Sequence, residues 1–241
     1  MPLAAPARLS SRLASFASHD AAVSVAQMRA LEERAIHACH VPRLLLMEHA
    51  GTAVSRVLLA LSSGRPARVL VCVGGGFNGA DGCVAARHLA NAGVSVEVWS
   101  LGGPTPAASE YASQWQMLRA LHVPVHHGAP PPRHAAQSHW IIDGLLGIGL
   151  RARVREPYAS AIRIMNASET PVVAVDVPSG LDADTGQVCG VAVRASATVT
   201  FGLAKRGLLR PQAAPYVGRL FIDPIGFPAH LLSHPHETRT A

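Results

Sequence analysis

Short apolar runs alternate with stretches of helical period over most of the chain. The apolar runs predict strands at 67–73, 94–101, 123–126, 139–142, 172–177, 197–201 and 218–222, with helices at 79–92, 107–121 and 156–166 between them. Such alternation makes βαβ units and a parallel sheet covered on both faces. The expected fold class is therefore α/β: a Rossmann-like three-layer αβα domain, its sheet mostly parallel, with helices on both faces. Two helices precede the first strand. Ser24 and Gln27 stand at capping-box spacing, with Val23 and Met28 placed as a hydrophobic staple, so one helix starts there and turns Met28, Leu31 and Ala35 to one side. A Leu-rich second helix runs from 43 to 61, behind Pro42. Residues 128–137 read as a surface loop, 1–22 as an Ala/Arg/Ser-rich leader, and 229–241 as a polar, frayed tail, which leaves 23–228 as one domain.

Three strands end alike, in an amide or acidic residue beside a glycine turn. The first is followed by Gly74-Gly75-Gly76-Phe77-Asn78-Gly79-Ala80-Asp81-Gly82. Glycines let the backbone approach an anion, and the first amides of the helix behind them lack intrahelical acceptors, so this turn predicts a phosphate cradle. Gly74, Gly76 and Gly79 also satisfy G-x-G-x-x-G, which raises a nicotinamide dehydrogenase. The acidic residue that such an enzyme carries at the end of the next strand is missing: that strand closes in Trp99-Ser100-Leu101, with Glu97 inside it. The second ending is Asp143-Gly144-Leu145-Leu146-Gly147-Ile148-Gly149-Leu150. The third is Asp176-Val177-Pro178-Ser179-Gly180-Leu181-Asp182. Parallel sheets bind ligands at the C-terminal ends of their strands. Each Asp alone has a cap or turn role open to it; the repetition favours one shared site.

Composition narrows the classes. At 241 residues and 49% hydrophobic content the chain suits one α/β domain, and no apolar run approaches the roughly 20 residues that span a bilayer, so no membrane partner is expected. The four cysteines show no C-x-x-C spacing and imply a reducing compartment, hence the cytoplasm, with organelle import the alternative if 1–20 is a transit peptide. The net charge of +6 comes from dispersed arginines without a nucleic-acid motif, so no nucleic-acid partner is expected. Neither His37-Ala38-Cys39-His40 nor His126-His127 has the matched partners of a zinc site.

Taken together the motifs resemble the N-terminal domain of the bacterial YjeF protein, the NAD(P)H-hydrate epimerase family. The resemblance covers about Val23 to Gly226. It rests on Gln27-Met28-Arg29, on Leu46-Met47-Glu48-His49-Ala50-Gly51, on the three strand endings in family order, and on Thr198-Val199-Thr200-Phe201-Gly202-Leu203-Ala204-Lys205. Two positions depart: the family's glycine loop reads Gly-x-Gly-Asn-Asn-Gly-Gly-Asp-Gly, whereas this chain has Phe77 for the first Asn and Ala80 for a Gly.

The resemblance implies epimerisation of NADHX and NADPHX, nicotinamide cofactors hydrated at C6, so that an ATP- or ADP-dependent NAD(P)H-hydrate dehydratase can restore the coenzyme. It implies substrate contacts from Phe77, Asn78, Gly79, Ala80, Asp81, Gly147, Ile148, Gly149, Leu150, Arg151, Ala152, Arg153 and Asp176. It also implies a potassium ion (K+) held by Asn78, Asp143 and Ser179, whose oxygens suit a hard cation. Asp176 is the expected catalytic residue, protonating the departing hydroxyl or stabilising the iminium left behind. Lys205, the only lysine, either reaches a phosphate or is a plain surface residue. A homodimer is expected. The rival class is a non-catalytic binding domain on the same fold, favoured by Phe77 and Ala80; a dehydrogenase is argued against by the missing ribose carboxylate.

Overall fold

A computed structural model of the chain describes residues 22–62, 64–102, 109–233 and 235. The leader expected at 1–22 lies outside the described residues except for Ala22. Helix α1 spans Val25–His37 and α2 spans Arg43–Leu61. The capping box closes at the start of α1: Gln27 N donates to Ser24 Oγ (3.2 Å), and Ser24 N donates to Gln27 Oε1 (2.8 Å). Val23 and Met28, the staple pair, are both buried in one core cluster with Leu31 and Ala35.

The remaining elements follow the expected alternation: β1 (Arg68–Val73), α3 (Phe77–Asn91), β2 (Ser95–Ser100), α4 (Ser109–Ala120), β3 (Val125–His127), α5 (Pro132–Ala136), β4 (Trp140–Gly144), α6 (Tyr158–Ala167), β5 (Val172–Val175), β6 (Ala197–Phe201), α7 (Ala214–Val217), β7 (Arg219–Asp223) and α8 (Ala229–Ser233). The seven strands form one sheet in the order β3-β2-β1-β4-β5-β6-β7, and every neighbouring pair is parallel. Side chains of β1 alternate faces as the strand period requires. Val69, Val71 and Val73 pack in the cluster that takes buried residues of α1 to α4, while Leu70 and Cys72 pack with residues of α5 and α6. This is the three-layer αβα arrangement.

Three expectations change. Pro132 at the first position of a helix turns part of the expected 128–137 loop into α5. The tail does not fray from 229: α8 occupies Ala229–Ser233 because Leu231 has an apolar site in the core to fill. An apolar stretch of near-spanning length does exist, since α2 has a mean hydropathy of 1.4 across a membrane-length window. Its Leu46, Met47, Val54, Val57 and Leu58 are buried in the core cluster, where they meet α3 and the sheet.

Strand order reverses at β1, which sends the chain first towards β2 and β3 and then, through β4, to the other side. The chains leaving β1 and β4 therefore run to opposite faces of the sheet, α3 to one and α6 to the other, and such a switch point is where this kind of sheet binds ligands.

Candidate active site

The turns after β1 and β4 touch backbone to backbone. A Cβ at Gly74 would lie 2.0 Å from the Leu145 carbonyl oxygen, and one at Gly79 would lie 2.0 Å from the Gly74 carbonyl oxygen, so no larger residue fits either position. The Tyr111 hydroxyl donates to the Gly74 carbonyl at 2.6 Å and fixes the turn from below. Beside these turns opens a cavity of about 900 Å³.

Most of the expected substrate contacts line it: Phe77, Asn78, Asp81, Gly147, Ile148, Gly149, Leu150, Arg151, Ala152, Arg153 and Asp176. Gly79 and Ala80 are buried and do not. The reason is that α3 starts at Phe77, two residues earlier than expected, with Gly76 as its N-cap, so both residues sit inside the helix, Gly79 against the Gly74 backbone and Ala80 in the core. Ala80 therefore carries no left-handed strain. Sequence reasoning assigned no cavity role to α1 and α2, yet Arg29, Glu32 and Arg43 line the same cavity. The quoted Gln27-Met28-Arg29 motif was the signal that pointed to this helix.

Asp176 lies just past the end of β5, which stops at Val175 rather than Val177. Its φ of 64° is left-handed and breaks the extended run. A non-glycine residue held there costs about 1–3 kcal/mol and is found where the surroundings enforce it. Here they do: Asp176 Oδ1 accepts from Lys205 Nζ (2.5 Å), Thr200 Oγ1 (3.1 Å) and Phe201 N (3.3 Å). Lys205 is not a surface residue. Its side chain is 1% exposed, its Nζ also donates to Thr200 Oγ1 and the Phe201 carbonyl, and its ion pair with Asp176 forms part of the cavity floor.

Asp143 ends β4 in a different environment. Its Oδ2 accepts from Ser179 N (2.8 Å), and its Oδ1 accepts from Ser179 Oγ (2.6 Å) and Leu145 N (3.3 Å). Burial pushes its carboxyl up to about 6, against the lowering effect of those donors. Ser179 Oγ in turn accepts from Leu146 N at 2.8 Å. Asn78 reaches the same turn from the other side, its Oδ1 3.0 Å from where a Cβ on Gly147 would stand. Asn78 Nδ2 is buried and has no hydrogen-bond partner among the described residues. Asn78, Asp143 and Ser179 thus converge on the 144–147 turn.

Charge is unevenly distributed in the cavity, with the exposed acid Glu33 beside the arginines, 3.5 Å from Arg43. At the floor, Asp81, Asp176 and Glu32 interact electrostatically around Lys205. Burial raises the Glu32 carboxyl although Arg43 opposes it. Arg29, Arg151, Arg153 and Arg155 are exposed and line the mouth, and the Arg43 guanidinium lies 5.0 Å from the centre of the exposed Phe77 ring.

The family model described as "YjeF-related protein N-terminus" matches residues 43–207. The chain belongs to this family. It is 40% identical over 203 residues to a Limosilactobacillus fermentum protein named NAD(P)H-hydrate epimerase, covering 83% of this chain and 95% of that one. It is 50% identical over 195 residues to the bifunctional NAD(P)H-hydrate repair enzyme Nnr of Pyrobaculum aerophilum, covering 78% of this chain. Only 38% of that longer relative is spanned. The crystal structure of yeast ynu0 has the same fold, with a TM-score of 0.70 at 24% identity over 77% of this chain and 82% of that one.

Proposed function

We propose that the chain interconverts the R and S forms of NADHX and NADPHX at C6 of the hydrated nicotinamide ring. The observation that carries this reading is the cavity's charge layout, in a chain whose named relatives are NAD(P)H-hydrate epimerases. A dinucleotide enters ring first. Its phosphates stay among Arg29, Arg151, Arg153 and Arg155 with the first amides of α3 nearby, and its ring reaches the carboxyls of the floor. Loss of the C6 hydroxyl, driven by the lone pair of the ring nitrogen, leaves a planar iminium cation that water re-enters from either face. Asp176 is the catalytic residue that meets this cation. Its Oδ1 is taken up by three donors, and its Oδ2 has no hydrogen-bond partner among the described residues, which leaves that oxygen for the substrate.

Asn78, Asp143 and Ser179 would hold a potassium ion. The fit is supported by their hard oxygen donors, with Ser179 Oγ 2.6 Å from Asp143 Oδ1 and Asn78 Oδ1 against the Gly147 turn. Bound there, the ion would supply a fixed positive charge beside the 144–147 turn. The chain works as a homodimer in the cytoplasm, where its four cysteines stay free, and passes the S epimer to a dehydratase.

The test supplies purified protein with (R)-NADHX and an S-specific dehydratase, and follows coenzyme recovery. Recovery well above the uncatalysed rate is expected. Recovery at the uncatalysed rate would replace this reading with a binding domain on the same fold, the alternative that Phe77 favours.

A further inference from the structure

Two carboxyls meet the same end of the cavity with opposite surroundings. Asp176 is tied by three donors, one of them an ammonium. Asp81, on α3, lines the same cavity, yet among the described residues its carboxyl has no hydrogen bond and no ion pair. The charged groups that face it are Asp176 beyond β5, Glu32 on α1 and Lys205 beyond β6. Burial, more than the Asp176 and Glu32 charges, pushes the Asp81 carboxyl well above the usual carboxylate range, and Lys205 offsets this only in part. Where one carboxyl is kept neutral by burial and its neighbour is tied to an ammonium, the first can serve as proton donor and the second as the fixed charge.

We infer that Asp81 is the proton donor of the reaction, and that Asp176, paired with Lys205, is the anion that stabilises the cationic ring. This assignment rests on the epimerase reading. The neutral Asp81 carboxyl gives its proton to the C6 hydroxyl oxygen as the C6–O bond breaks. The electron pair of that bond leaves with the oxygen as water, and the lone pair of the ring nitrogen closes the N1=C6 bond. In the return step water oxygen bonds to C6, the nitrogen recovers its lone pair, and the proton that the water sheds goes back to Asp81. No proton or water is consumed over the cycle. Asp176 changes neither its bonds nor its proton.

The test measures kcat against pH for the parent, Asp81→Asn and Asp176→Asn, with the uncatalysed rate subtracted at each pH, and binding of NADP+ as the inert probe. A donor must be protonated, so parent activity should be present below the Asp81 pKa and fall as pH rises through it. Asp81→Asn should lose at least about a hundredfold in kcat, the lower bound for general acid catalysis, and lose that alkaline fall, while NADP+ affinity stays within about threefold. Asp176→Asn should also lose rate but keep the alkaline fall. Asp81→Glu, which retains a carboxyl, should keep the fall even if displaced, and guards against a folding defect in the amide variant. Asp81→Asn activity within about threefold of the parent, or an alkaline fall that persists in that variant, would overturn the assignment. A parent that does not accelerate epimerisation at all would instead remove the epimerase reading beneath it.

Discussion

Asp143 and Asp176 end neighbouring parallel strands, and each precedes a glycine turn, yet the fold gives them opposite tasks. Asp143 is fully buried, and its donors are a hydroxyl and backbone amides from the loops it binds together. Asp176 is held through one oxygen by a buried ammonium and keeps its other oxygen towards the cavity. The first arrangement staples the 144–147 turn to Ser179. The second leaves a carboxylate oxygen facing the cavity. An identical sequence signal thus becomes a buried staple or a cavity-facing carboxylate according to what the next strand delivers, Ser179 in one case and Lys205 in the other.

The sharpest way to break this contrast is Asp176→Asn. Its backbone suits the left-handed φ, because Asn tolerates that region. The rate of epimerisation should fall at least about a hundredfold, the size of a lost electrostatic stabiliser. Stability should fall too, by about 3 kcal/mol in denaturant titrations, because Lys205 is left charged and buried without its carboxylate. Adding Lys205→Met to Asp176→Asn should recover most of that stability and none of the activity. If the double variant were no more stable than the single, the ion pair would not be the source of the cost.

Asp143→Asn should act the other way round, on stability before chemistry. An amide NH₂ turned towards Ser179 or Leu145 would set donor against donor, at a cost of about 1–3 kcal/mol in denaturant titrations. The variant also tests a pH slope. With its carboxyl pushed up to about 6, native Asp143 holds a proton that the unfolded chain gives up near pH 4. In potassium-free buffer its contribution to stability should therefore be present below about pH 4 and be lost as pH rises to about 6. Asp143→Asn should lack that slope, and an unchanged slope would put the titrating group elsewhere.

The smallest effect concerns the mouth of the cavity. Phe77→Asn restores the residue usual in the family and removes the ring beneath Arg43. An exposed cation–π contact is worth about 0.5–1 kcal/mol, so KM should rise by no more than about fivefold, with kcat nearly unchanged. A large gain in kcat would show instead that Phe77 had been restraining catalysis.

The sequence by itself determined the seven strands, the helix starts at Ser24 and near Pro42, and the three strand endings that carry Asn78, Asp143, Asp176 and Ser179. These are local signals: an apolar period, a capping box, and an acid beside a glycine turn. It placed the start of α3 two residues late, because Phe77 does not read as a first helical residue until the Gly76 cap is seen. Only the tertiary structure decided that Arg29, Glu32 and Arg43, far away in the chain, close the cavity that β1 and β4 open. It alone decided the place of Lys205, since a lone lysine reads as surface until β6 carries it into the floor beside Asp176. Burial and pairing depend on contacts between distant segments, and those contacts set which carboxyl is stapled, which is charged and which is left without a partner.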